Sequence, residues 1–384
     1  LYLEGAVSGL ENGTPNRAGT NSKPNVIVIL SESFFDITKI ENLKLSEDPT
    51  PNFRKYIQEY SNGDIGSITF GGGTNKVEGE FLTGLLDRHM PEGWGLDKEI
   101  NALPNIFKHN GYETAAVHTY YKTFYNRDIY YDKIGFDKFI GYEDMQAPEF
   151  SGPYVSDSYF ADQVINTYEN KNSPIFIFGI SMENHQPYND KYENNNIKIL
   201  NGDISEESKN LGENFITGLN SADKGLKKII DYFENIEEDT IILFFGDHLP
   251  TLGSDFKFYR ELGFVEKEGK LVNNGLLKIV SPPYFIYSNY GLNIESYELI
   301  GSNFLGNYLL NIVGLEKPLF YYFIDKAFEQ SDYMSRFDLF VGKGNKIYDS
   351  VPYYFRGIEE MYKMFQHDIL SDENYVAGRL EKYY

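Results

Sequence analysis

The sequence contains no cysteine, which excludes disulfides, zinc fingers, iron–sulfur clusters and a thiol nucleophile while leaving the compartment open. Basic residues are scarce: 35 Lys and Arg stand against 57 Asp and Glu, for a formal charge of −22. So acidic a surface repels polyanions over most of its area, which disfavours a nucleic-acid partner and unaided contact with an anionic bilayer. Long apolar runs are also missing. The longest, such as Val26 to Leu30 and Ile241 to Phe245, are strand-sized and far short of the roughly 20 residues that span a membrane. There is a single Trp, although Tyr and Phe number 32 and 29, and these rings follow no repeat period. At 384 residues the chain is long enough for one large domain or about two or three smaller ones with a substantial core.

The chain starts with Leu1, and residues 8–24 are polar and rich in Gly, Asn, Ser and Thr. Residues 1–24 therefore read as a linker whose upstream part is missing. Beyond it, Asn25 to Leu30 is a β-branched run ending in Ser31-Glu32-Ser33, the pattern of a strand buried on both faces with functional groups at its C-terminal end. Thr114 to Val117 before His118, Pro174 to Ile180 before Ser181, and Thr240 to Phe245 before Gly246-Asp247-His248 repeat the pattern. Helical spacing lies between them, over 102–110, 156–169 and 213–235. The alternation predicts an α/β fold with a mostly parallel central sheet flanked by helices on both faces, over 25–330. Residues 331–384 predict a small C-terminal α+β subdomain, with short strands at 337–341, 346–351 and 353–356, a helix from about Gly357 and a polar tail.

In such sheets ligands bind at the carboxyl ends of the strands. Glu32, Asp247 and His248 are delivered there by two strands, and an oxygen-rich set with one imidazole suits a hard-to-intermediate cation. Gly71-Gly72-Gly73-Thr74 follows an expected strand at 65–70 and precedes an apolar helical pattern. It is not a nucleotide P-loop, because no Gly-Lys-Ser/Thr follows. Thr74 reads as a helix N-cap, although a capping box would want Glu or Gln where Val77 stands and Glu78 comes one position late. A hydroxyl at a positive helix end, beside a metal that lowers its pKa, is also a nucleophile for a phosphate ester. His118, Arg127 nine residues on, and His185 in Ser181-Met-Glu-Asn-His185 supply donors suited to a tetrahedral phosphoryl group. His89, His109 and His367 lack such placement.

These five motifs, from Asn25-Val-Ile-Val-Ile-Leu-Ser-Glu-Ser-Phe34 through Gly-Gly-Gly-Thr74 with Glu78, His118 with Tyr125-Asn-Arg127, and Ser181-Met-Glu-Asn-His185 to Gly246-Asp-His248, resemble in order those of the lipoteichoic acid synthase and phosphoglycerol transferase group. That group lies within the alkaline phosphatase and sulfatase superfamily. The resemblance covers about Lys23 to the C-terminus. It implies that Glu32, Thr74, Asp247 and His248 ligate one divalent metal, usually Mn2+, with Mg2+ or Zn2+ as alternatives, and that Thr74 is the nucleophile. His118, Tyr125, Arg127 and His185 would hold the substrate phosphoglycerol group. In the synthases the position of Tyr125 is usually Trp, and the residues after Asp-His differ from Leu249-Pro250-Thr251.

The implied activity is transfer of glycerophosphate from phosphatidylglycerol to a glycerol-phosphate chain or glycan acceptor through a threonine-linked intermediate. The implied setting is an extracellular catalytic domain held to the cell membrane by an N-terminal segment. A phosphoethanolamine transferase, a phosphodiesterase, a sulfatase or an inactive wall-binding module on the same fold remain alternatives. The sulfatase alternative lacks its usual nucleophile, a formylglycine made from Cys or Ser in a Cys/Ser-x-Pro-x-Arg context, since Thr74 is followed by Asn-Lys.

Overall fold

The computed structural model describes residues 23–91, 95–334 and 339–371; the linker expected over 1–24 and the polar tail lie almost wholly outside the described residues. Eight strands form the central sheet: β1 (Asn25–Ser31), β2 (Ser61–Gly66), β3 (Glu113–His118), β4 (Lys138–Ile140), β7 (Ile175–Ile180), β8 (Thr240–Gly246), β9 (Pro283–Ser288) and β10 (Leu299–Gly301). Their order is β10-β2-β9-β8-β1-β7-β3-β4. Only β9 runs against its neighbours, pairing antiparallel with β2 and β8, so the expectation of a mostly parallel sheet is met. A two-stranded ribbon, β5 (Phe150–Ser151) and β6 (Tyr154–Val155), stands apart.

Adjacent strand residues point to opposite faces, and Phe244 and Phe245 show what covers each one. Phe244 meets Phe53 of the helix Pro51–Glu59 at 6.1 Å between ring centroids. Phe245 meets Phe81 of the helix Thr74–Thr83 at 5.1 Å. Likewise Phe176 stacks on Phe107 of the helix Leu103–His109. Gly179, of opposite parity, makes room for Phe160 of the helix Asp157–Glu169. Helices therefore cover both faces, and β1, β7 and β8 are buried along their whole length, as their unbroken apolar runs require.

Several local expectations are corrected. The strand expected at 65–70 is Ser61–Gly66: its first residues, Ser61-Asn62-Gly63-Asp64, carry no apolar signal and are held by backbone pairing with β9 and β10. The helix expected at 213–235 begins seven residues earlier, as Glu206–Phe233, where the Ser205 hydroxyl accepts from the Ser208 N–H. Tyr353–Phe355 is not a strand but a 3-10 turn running into the helix Arg356–Leu370. Near the C-terminus β11 (Ser331–Met334), β12 (Phe340–Gly342) and β13 (Lys346–Tyr348) form an antiparallel sheet. These elements dock closely: the Tyr333 hydroxyl donates to Ser67 O, Tyr362 to Gly84 O at 2.8 Å, and the Gln366 amide brackets both backbone groups of Leu86.

Candidate active site

Register brings the site together. Ser31 of β1 pairs with Gly246 of β8, Leu30 with Ile180 of β7, and His118 of β3 also with Ile180. Four parallel strands thus end at one level, and the residue after each end, or the last residue itself, enters the same space. At the end of β1 the chain turns sharply, with Ser33 at φ 55°. Its carbonyl path passes so close to Gly246 that any Cβ there would collide with Phe34 O.

Three of the expected residues form one buried cluster. Ligand atoms of Glu32, Asp247 and His248 all lie within 4.8 Å of one another. His248 Nδ1 sits 3.1 Å from Leu249 O, which places its proton there and leaves the Nε2 lone pair facing Asp247 Oδ2 at 3.1 Å and Glu32 Oε1 at 3.7 Å. Asp247 Oδ2 and His248 Nε2 are fully buried and neither has a hydrogen-bond partner. Asp247 Oδ1, in contrast, accepts from the backbone N–H of Ser33 at 2.8 Å and of His248 at 2.9 Å. Burial, reinforced by the Glu32 charge, raises the pKa of the Asp247 carboxyl to about 6. Electron-rich atoms converging without protons between them are costly alone, and a divalent cation among them would satisfy all three. The residues present fit such an ion.

Thr74 joins this cluster. Its Oγ1 donates to Glu32 Oε2 at 3.2 Å, and the residue is buried. The N-cap is Gly73, left-handed at φ 86°, and Thr74 is the first residue of the helix, so its hydroxyl is not spent on capping. The preceding loop is anchored by Gly71 N–H on Leu249 O at 2.9 Å. The Ser67 hydroxyl also donates to Asp247 O at 2.6 Å. Gly71 has φ +67°, and a Cβ on it would collide with Thr251 Oγ1.

Arg127 and His118 form a second buried layer. Arg127 is 1% exposed; its Nε and Nη2 donate to Glu78 Oε2 at 3.0 and 2.8 Å, and its Nη1 lies 3.2 Å from His118 Nε2. Burial would lower the guanidinium pKa, but Glu78 holds it above the usual Arg value. His118 Nδ1 lies 3.2 Å from Ile180 O. Burial and the Arg127 charge push its pKa well below the ordinary histidine value, so it is neutral, accepting from Arg127 and donating to Ile180. Both ring nitrogens have protein partners.

The remaining two candidates lie at the mouth. His185 Nδ1 lies 2.7 Å from Gln186 O and 3.3 Å from the Tyr154 hydroxyl. Tyr125 is 38% exposed and, with Asn126, sits in the left-handed region at φ 58° and 54°, a strained turn for a bulky residue. That turn sets its ring 5.3 Å from the Arg127 guanidinium. Burial and the charges of Glu32 and Asp247 raise the pKa of its hydroxyl, against the lowering influence of the Arg127 charge and the Gly73 N–H.

Sequence reasoning gave Glu78 no task, yet it holds Arg127 from 49 residues away. Thr74 and Glu78 are one turn apart on the same helix, and that spacing was the available signal. Ser33 and Ser181 were also passed over; the Ser33 hydroxyl donates to Glu32 Oε1 at 2.8 Å, and Ser181 Oγ accepts from the Glu32 N–H at 3.2 Å. Polar residues directly after apolar strands marked them.

The site can be compared with known proteins. The family model described as Sulfatase matches residues 24–315. A Rhizobium meliloti (strain 1021) protein named for cyclic beta-1,2-glucan modification is 30% identical over 98% of this chain and 58% of its own length. A lipoteichoic acid synthase of Staphylococcus saprophyticus is 27% identical over 61% of this chain and 37% of its own, so the chain spans about half the length of these relatives or less. Among solved structures, the Streptococcus pyogenes phosphoglycerol transferase GacH in complex with sn-glycerol-1-phosphate superposes with a TM-score of 0.76 at 22% identity, covering 100% of this chain and 93% of that one, a likeness of fold. With the family model spanning the sheet and every strand end that builds the buried cluster, the chain belongs to the sulfatase family.

Proposed function

We propose that this chain is the catalytic domain of a metal-dependent phosphoglycerol transferase that moves glycerophosphate from phosphatidylglycerol to an acceptor hydroxyl through Thr74. The observation that carries this reading is the junction of the Thr74 hydroxyl with Glu32 at 3.2 Å beside the partnerless atoms of Asp247 and His248. Glu32, Thr74, Asp247 and His248 would hold one divalent ion, Mn2+ physiologically, which when bound supplies positive charge that acidifies a hydroxyl and offsets charge gathering on phosphorus.

Thr74 Oγ1 attacks phosphorus, and Glu32 Oε2, its hydrogen-bond partner, is the proton acceptor at hand. The bond from phosphorus to the diacylglycerol oxygen breaks, and that oxygen takes up a proton. Arg127, held with Nε and Nη2 on Glu78 and with Nη1 against neutral His118, would stabilise the phosphoryl oxygens through its fixed positive charge and a guanidinium N–H. His185, its Nδ1 fixed on Gln186 O, offers Nε2 to the same group, and the Tyr125 ring flanks the glycerol. An acceptor hydroxyl then attacks phosphorus and releases Thr74; water in its place gives hydrolysis.

The relatives' names support both acceptor classes, glycan and glycerol-phosphate chain, and an extracellular, membrane-tethered setting belongs to this proposal. No helix among the described residues is long and apolar enough to cross a membrane. The test is intact mass spectrometry after incubation with Mn2+ and phosphatidylglycerol. A glycerophosphoryl adduct mapped to Thr74 and absent from Thr74→Ala is expected, and donor cleavage without it would make water the attacking group.

A further inference from the structure

Side chains with large apolar surfaces are normally covered, and contiguous exposed ones mark contact sites. Here a file of rings starts at the site and runs to the surface. His185 meets Tyr154 at 5.6 Å between centroids, Tyr154 meets Tyr120 at 6.1 Å, Tyr120 meets Tyr121 at 5.1 Å, Tyr121 meets Tyr142 at 5.3 Å, and Tyr142 meets Phe150 at 6.2 Å. Its outer members stand in solvent: Tyr121 is 48% exposed and Phe150 56%. Such exposure contributes nothing to the core, while the inner end touches a residue assigned above to the phosphoryl group.

We propose that this aromatic rim, from Tyr154 through Tyr120, Tyr121 and Tyr142 to Phe150, is the subsite for a neutral glycan acceptor. The proposal rests on the transferase reading and names its acceptor class. Consecutive rings meet edge to face, at interplanar angles of 66° to 73°, so neighbours turn different faces outward; the exposed faces of Tyr121 and Phe150 suit the C–H faces of pyranose units, with nearby polar groups to take their hydroxyls. Those groups are present. Glu143 lies beside Tyr142 and accepts from the Lys122 N–H at 3.2 Å, and Asp144 accepts from the Gly141 N–H at 2.9 Å. Charge selects among acceptors: between residues 120 and 154 there are six carboxylates against four cations. Two of those cations are engaged, Arg127 with Glu78 at 2.8 Å and Lys122 with Asp144 at 2.6 Å, and so are two of the carboxylates, that same Asp144 and Asp137 with Lys108 at 2.9 Å, so the acidic excess remains. A glycerol-phosphate polymer or an anionic bilayer would be repelled here, whereas an uncharged glycan would not.

The test uses the whole chain and cyclic β-1,2-glucan as the neutral probe, followed by titration calorimetry. Saturable binding is expected, weakened at least tenfold by Tyr121→Ala with Phe150→Ala. Tyr353→Ala, an exposed ring outside the file at 85%, should bind as the native chain does. Absence of saturable binding to the native chain, or equal binding by the double variant, would overturn the proposal, as would binding of phosphatidylglycerol vesicles lost through the same two substitutions. If the double variant does not fold, glucan protection of 120–154 from hydrogen exchange in the native chain decides instead, lack of protection counting against the subsite. Glucan binding with no Thr74 adduct from the donor would remove the transferase reading and leave the glycan site standing.

Discussion

Thr74 is the residue on which most depends, and its position as first helical residue behind a glycine cap separates chemistry from stability. Thr74→Ala loses one hydrogen bond to Glu32 and no cap, a cost on the order of 1 kcal/mol. We expect a melting temperature near that of the native chain with no covalent adduct, and partial adduct formation by Thr74→Ser; an alanine variant with native turnover would exclude Thr74 as nucleophile. Arg127 behaves differently because its Nε and Nη2 are committed to Glu78 and its Nη1 to His118. Arg127→Lys keeps the charge but cannot satisfy Glu78 and a phosphoryl group together, so turnover should fall on the order of tenfold to a hundredfold. Glu78→Gln leaves a buried guanidinium without its counter-charge and should destabilise the fold by about 3 kcal/mol, read by denaturant unfolding, with turnover falling as well. A surface-like loss below about 1 kcal/mol would contradict the burial of the pair. The meeting of Glu32, Thr74, Asp247 and His248 in one place was legible because each follows a strand or a glycine run. The Arg127–Glu78 pair was not, since nothing in local patterning links a loop arginine to a carboxylate 49 positions away.

At the level of elements, β1, β3, β7 and β8 declared themselves through apolar runs buried on both sides, and their polar endings pointed to the site. β4, β9 and β10 did not, and β2 was displaced, because edge or antiparallel strands with mixed residues take their conformation from partners distant in sequence. The loop from Ser67 to Gly73 shows how tightly such elements are set. Gly71→Ala would force a left-handed backbone on a residue with a Cβ, about 1–2 kcal/mol, and add a collision with Thr251 Oγ1. The expected result is a lower melting temperature together with reduced adduct yield, since the loop carries Thr74. Adding Thr251→Ala should recover part of the loss by clearing the space but not the part due to φ. Full recovery would mean that backbone strain contributes nothing, and no recovery that the collision is not the cause.

For the molecule as a whole, the convergence of buried carboxylates implies that ion binding and folding are linked. A cation at about a hundred times its dissociation constant would add about 2.7 kcal/mol, so Mn2+ should raise the melting temperature by several degrees, chelator should reverse the shift, and Asp247→Asn should abolish it; a melting curve indifferent to Mn2+ would remove the ion from the cluster. The fold class could be read from the alternation of elements, whereas the docking of the C-terminal sheet and helix through Tyr333, Tyr362 and Gln366 could not, being written in single hydrogen bonds. One further consequence concerns the helix Thr74–Thr83, which also packs so closely on the helix Ser302–Val313 that Gly306 leaves no room for a Cβ against Phe81 O. Thr74, the proposed nucleophile, and Glu78, which holds Arg127, ride together on this one clamped rod. The spacing between the Thr74 hydroxyl and the carboxylate that seats Arg127 is thereby a property of a single helical turn.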